Sequence, residues 1–134
     1  MTQTLEQIAS EKEVTVDQIL PLDVRILNWT QTLCICLQDQ YRSVYPDSFM
    51  DKKFVIVKGN RYYKIVMEDL DDEGNTYSSS VHAFVDKKTG EVYKPASWKS
   101  PAKHVRYDMR IIRDREFLHN PANVGWAGGY LYMR

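Results

Sequence analysis

The feature that most constrains this chain is a stripe that begins after Pro21. Apolar side chains return there at three- and four-residue steps: Ile26, Trp29, Leu33, Leu37, Tyr41 and Val44. That spacing lays one face of an α-helix against a core. Asp23 is placed to cap the helix and Pro46 to stop it, so the helix is expected over 23–45, with Trp29, Leu33 and Leu37 inward. The pattern then changes period. Phe54-Val55-Ile56-Val57 and Tyr62-Tyr63-Lys64-Ile65-Val66 are short β-branched and aromatic runs flanking Gly59-Asn60, a hairpin pair. A third strand is expected at Ser80–Val85, with Val81, Ala83 and Val85 on one face and His82 and Phe84 on the other. The turn Asp86-Lys87-Lys88-Thr89-Gly90 offers Gly90 for a left-handed position before a fourth strand from Glu91.

Helices first and strands after imply an α+β fold: N-terminal helices packed on one face of a four- to five-stranded antiparallel sheet. The strands are expected at 53–58, 61–67, 79–86 and 91–95, with Gly129-Tyr130-Leu131-Tyr132 as a fifth at an edge. A length of 134 residues suits one domain. It divides into a short helical pair (1–21), the long helix (22–45), and the sheet with a C-terminal segment (52–134). In the first part, Thr4 and Gln7 have capping-box spacing, and Leu5, Ile8 and Ala9 follow on one face. A second turn, Thr15–Leu20, gives the pair the outline of a helix-turn-helix. Glu13 occupies the turn where glycine is favoured, however, and Thr15, Val16, Asp17 and Gln18 offer no cation for DNA. The pair reads as structural.

Catalytic and metal signatures fail one by one. Cys34 and Cys36 make no disulfide framework, and two apart on a helix they point to different faces, so they read as buried small hydrophobes. Asn28-Trp29-Thr30 matches a glycosylation sequon by coincidence, in mid-helix. The acidic run Asp69–Gly74 begins like a calcium loop, but Ser80 stands where a bidentate Glu is required, leaving a solvated hairpin loop. His82, His104 and His119 have no ligand spacing, and no phosphate-binding or nucleophile-elbow motif occurs. No enzyme activity, cofactor or metal is expected. No segment reaches the length of a membrane helix, and the N-terminus is polar and acidic rather than signal-like, so a cytoplasmic location is expected.

Formal charges cancel over the whole chain but not along it. Lys87–Arg115 holds nine basic residues and three acids, 9 − 3 = +6, which leaves −6 elsewhere. Such asymmetry points to an anionic partner. Within it, Pro95 and Pro101 bracket Trp98 at the rim of the sheet. Lys99, Lys103 and His104 converge if Pro101 starts a helical turn, and Arg106, Arg110 and Arg113 share a face if a helix follows. The candidate ligand-binding set is therefore Trp98, Lys99, Lys103, His104, Arg106 and Arg110, suited to stacking plus phosphate pairing. The competing reading makes Trp98 a core residue and pairs the arginines with the acidic stretch 68–73.

The run VHAFVDKKTGEVYKPASWKSPAKHVR, with the closing GWAGGYLYMR, resembles a group of small uncharacterised tailed-phage proteins, particularly of marine phages. The likeness covers about a quarter to a third of the chain and centres on Lys-Pro-Ala-Ser-Trp-Lys. It implies a phage-encoded accessory protein of the host bacterial cytoplasm, and brings no catalytic residue or cofactor. The expected function is non-enzymatic binding of an anionic ligand, a nucleotide-like small molecule or a host protein, by an oligomer or a monomer. The alternatives are a sheet-based RNA or single-strand binder with Tyr62, Tyr63 or Phe84 as stacking platforms, and a virion structural or assembly component.

Overall fold

The computed structural model describes residues 4–11, 19–47 and 51–132. It is the expected α+β architecture. A short helix α1 (Leu5–Glu11) precedes a long helix α2 (Leu22–Val44), followed by strands β1 (Asp51–Lys58), β2 (Tyr62–Leu70), β3 (Thr76–Asp86), β4 (Glu91–Tyr93) and β5 (Tyr107–Asp108). Helix α3 (Ile112–Leu118) and a 3₁₀ turn (Gly129–Tyr132) close the chain. The five strands form one antiparallel meander in sequence order.

Both ends of the helical region follow local chemistry. The Thr4 hydroxyl accepts from the Gln7 amide and the Gln7 side chain accepts from the Thr4 amide, a complete capping box. The expected turn over Thr15–Gln18 and the Glu13 position lie outside the described residues, as does the packing of Ile8 and Ala9. Helix α2 starts one residue earlier than expected, because Pro21 itself takes the cap position. Asp23 then sits in the first turn, where its charge favours the helix dipole without capping. The buried stripe is Ile26, Trp29, Thr30, Leu33, Cys34, Cys36, Leu37 and Tyr41, and it packs against Phe54, Tyr63, Ile65, Ala83, Val85 and Val92 of the sheet. Val44 is exposed.

Four expectations about the sheet need correction. Strands β2 and β3 reach further into the acidic region than their apolar pattern suggests. Asp69 and Leu70 belong to β2, and the Thr76–Ser80 run, polar on both faces, is held by backbone pairing. The remaining turn is built on Asp71, whose carboxylate accepts from the Glu73 and Asn75 amides. Strand β4 stops at Tyr93 rather than 95, because Pro95 has no amide to donate. The fifth strand is Tyr107–Asp108 and not 129–132. Gly128, at φ +85°, turns the chain there, and the Leu131 amide bonds back to Gly128 to make the 3₁₀ turn that buries Tyr130 and Leu131 side by side.

The fourth correction is at His82. The β2–β3 register shifts between Ile65 and Val66, which pair with Ala83 and Val81, so His82 is the extra residue of a β-bulge. Its ring points away from Phe84's side of the sheet. It lies edge-on to core Phe54 at 5.5 Å, while Phe84 packs on Tyr62 at 5.8 Å. The turn after β3 matches expectation: Gly90 has φ +75°, and the Asp86 carboxylate accepts from the Lys88 and Thr89 amides.

Candidate functional site

The segment after β4 is a short, well-bonded loop. The Ala102 amide bonds to the Lys94 carbonyl, Pro95 and Pro101 form a β-bridge, and the Ala96 and Ser97 amides both reach the Ser100 carbonyl. Ser97 completes it, its hydroxyl accepting from the Lys99 and Ser100 amides. Prolines at both ends and these crosslinks hold the tip without a helical turn at Pro101. Trp98 sits at that tip with 49 % of its surface exposed, too much for a core residue.

What lies beside Trp98 comes from another part of the chain. Lys64 of β2 points to the sheet face opposite α2, and its Nζ stands 4.5 Å from the Trp98 ring centre. The same face carries an aromatic cluster in which Tyr62 meets Phe84 at 5.8 Å and Tyr93 at 6.0 Å, both edge-on. Arg61 lies over Tyr62 at 5.2 Å and touches Asp86 through Nε at 3.4 Å. Between these groups is an open cleft of about 310 Å³ lined by Val57, Asn60, Arg61, Tyr62, Lys64, Phe84 and Lys99. Burial pushes the Asp86 carboxyl up, but amide hydrogen bonds from Lys88 and Thr89 and the Arg61 guanidinium outweigh it, so it stays ionised below the usual carboxylate range. Three cations therefore border the cleft, of which Arg61 is paired with Asp86.

The six residues expected to bind ligand do not form one site. Lys99 lines this cleft; Trp98 adjoins it through Lys64, and its indole lines a neighbouring groove with Val81, Pro95, Ala96 and Ser97. Lys103 and His104 are exposed on the return arm that runs beside β4 toward Arg106, whose amide bonds to the Val92 carbonyl. Arg110 lies at the far end of that ladder, where Asp108 accepts from both Nε (3.1 Å) and Nη2 (2.8 Å). Its guanidinium is held by that hydrogen bond still more firmly in its charged form. Arg106, Arg110 and Arg113 share no helical face, because α3 begins only at Ile112. Nor do Arg110 and Arg113 pair with residues 68–73: Arg113 lies near Asp114, and Asp69 binds Lys52.

Much of the basic run is consumed internally. Lys87 donates to the Gly59 carbonyl and covers Tyr63, Lys94 covers Tyr132, and Arg115 donates to Met109 and covers Trp29. Two expected stacking platforms are also occupied: Tyr63 is in the core and Phe84 is buried beneath its neighbours. Arg61 and Lys64 were missed by local reading. Their signal is the outward alternation Tyr62-Lys64-Val66 within β2.

His82 is strongly perturbed. Burial drives its pKa down to about 4, opposed in part by its hydrogen bond to the Trp126 carbonyl. With Nδ1–H so engaged, Nε2 accepts from the Tyr130 hydroxyl at 2.8 Å. This neutral ring pins the C-terminal segment to the β3 bulge, with Tyr107 donating to the Tyr130 carbonyl beside it. Among the described residues no group of His, Cys, Asp and Glu side chains is placed to hold a metal, and no helix is long and apolar enough to cross a membrane.

Residues 9–133 match a family of unknown function, DUF7717. The chain belongs to that family. The DUF7717 match spans α2, all five strands and the Trp98 loop, so the outer-face cleft lies within the family's own domain. No curated protein and no solved structure matches the chain.

Proposed function

We propose that this chain is a phage-encoded accessory protein of the host cytoplasm that acts by binding an anionic, ring-bearing ligand of the nucleotide class. The observation that carries the reading is the pairing of a half-exposed Trp98, on a braced loop, with the Lys64 ammonium 4.5 Å from its ring centre. An indole so placed offers a stacking face, and Lys64, Lys99 and Arg61 supply charge for a phosphate. Bracing matters because a loop that is already ordered loses little entropy on binding. The phage origin rests on the likeness of the Lys-Pro-Ala-Ser-Trp-Lys segment alone.

Thermal shift tests this directly. A ligand at about 100 times its Kd adds about 2.7 kcal/mol of stability, several degrees for a domain of this size. Nucleotides, cyclic nucleotides and short RNA are screened at low salt, where charge pairing is strongest. Trp98→Ala and Lys64→Ala should each remove the shift while leaving the ligand-free Tm nearly unchanged. If no anionic ligand moves Tm at low salt, the small-ligand reading is wrong. A second reading, single-strand nucleic-acid binding, is favoured by Tyr62 and Trp98 standing on one sheet face. Binding that falls steeply with salt and ignores base identity would select it.

A further inference from the structure

We infer that the outer edge of β3, residues Thr76–Val81, is a docking strand for a second copy of this chain. Strand β4 pairs with β3 only at Phe84 and Val85. Beyond Tyr93 the ladder ends at Pro95, and the chain leaves for the Trp98 loop. Among the described residues, no strand pairs with Thr76–Val81 on the side away from β2. Open edges are ordinarily protected by charge or proline. The opposite edge strand, β1, carries Asp51, Lys52, Lys53 and Lys58. The β3 edge reads Thr-Tyr-Ser-Ser-Ser-Val, without charge or proline, and Thr76–Ser80 are all exposed, Tyr77 by 58 %.

The sequence around this edge favours self-pairing. In an antiparallel pair about a two-fold axis, residue i of one copy meets residue j of the other and j meets i, so an edge bearing like charges repels its own copy and an uncharged one does not. The ends supply polarity. The turn entering β3 presents Asp72 and Glu73, both exposed, whereas Asp71 is engaged within the turn. At the other end of the open edge stand Lys94 and Pro95. The Lys94 ammonium lies over the Tyr132 ring and keeps its charge unpaired by any carboxylate among the described ion pairs. Pro95 borders a cleft with Ser80, Val81, His82 and the C-terminal Trp126, Leu131 and Tyr132. Antiparallel pairing runs the acidic turn of each copy toward Lys94 of the other. A foreign strand would need an acid at one end and a base at the other, and this chain already has both.

Sedimentation velocity on the full chain, from about 5 µM to about 0.5 mM, tests the inference over the range expected of a small interface. The mass should rise from 15.7 kDa toward twice that value. The amides of 76–81 should exchange more slowly at high concentration. Ser79→Lys should keep the chain monomeric with an unchanged circular dichroism spectrum. Lys94→Glu should weaken association several-fold, and adding Glu73→Lys should restore it. A chain that stays monomeric throughout overturns the inference, as does a dimer that survives Ser79→Lys or leaves the 76–81 amides unprotected. The charge-reversal pair decides the matter if Ser79→Lys does not fold.

Discussion

Lowering the pH from 7 to about 4.5 should remove about 2–3 kcal/mol of folding stability, chiefly through His82. The ring is 7 % exposed, and its described neighbours, Phe54, Tyr130, Gly128 and the Trp126 carbonyl, carry no charge to offset a proton. Its pKa falls from 6.5 to about 4 in the folded chain. Between those values the unfolded chain holds a proton that the folded chain refuses. Stability is therefore flat above about pH 6.5 and falls as pH drops through the window, by about 1.4 kcal/mol per pH unit. Asp86 and Asp108 act lower. Burial raises both, but hydrogen bonds to them win, so their contribution is present above the ordinary carboxylate value of 3.8 and is lost only below it. A loss of 2–3 kcal/mol is a large share of the roughly 5–15 kcal/mol of a typical domain. Urea unfolding followed by circular dichroism at several pH values gives the slope. His82→Gln, less stable at pH 7, should show a much shallower slope. An unfolding midpoint that does not move between pH 7 and 4.5, or an equal slope in His82→Gln, would refute the reasoning.

Leu33 is fully buried between α2 and the sheet, so Leu33→Ala should cost about 2–5 kcal/mol in denaturant titration; a loss of a few tenths would mean the helix packs by another face. Burial pushes the Cys34 thiol up to about 12, and burial followed by the Asp39 charge raises Cys36. Iodoacetamide at pH 7 should therefore leave the folded chain unmodified by mass spectrometry and label both cysteines in denaturant; fast labelling of the native chain would contradict their burial.

The parts of this fold that were legible in the sequence are those governed by short-range rules. The α2 stripe repeats over six turns, the Gly59-Asn60 and Gly90 turns state their backbone needs, and Thr4 with Gln7 makes its own cap. The rest depends on register and on distant pairing. The His82 bulge breaks alternation by one residue without changing composition, so an alternating reading sends the ring to the wrong face. The Thr76–Ser80 strand is polar on both sides and has no apolar period to detect. Arg110 was misread because the expected helix is instead a turn after β5, in which the Asp108 carboxylate accepts from the Arg110 amide. The same carboxylate takes its guanidinium in a bidentate pair. Most of the cleft comes from residues 57–64, more than thirty residues before Trp98, and no local pattern joins Lys64 to that ring.

Pro95 links the cleft and the open edge. Tyr93 stands opposite Phe84, so a β4 that continued antiparallel would carry Trp98 to about the level of Ser79, beside the acidic turn and far from Lys64. It would also cover the amides and carbonyls that Thr76–Val81 now turn outward. A residue without an N–H at 95, bridged to Pro101, prevents both outcomes. The loop it starts folds back within a few residues and sets the indole over the β2 ammonium. The stacking surface and the unpaired strand are therefore two consequences of one interruption in the sheet. The proposed ligand site at the first and the proposed association at the second share one requirement, since a change that lengthens β4 should remove both.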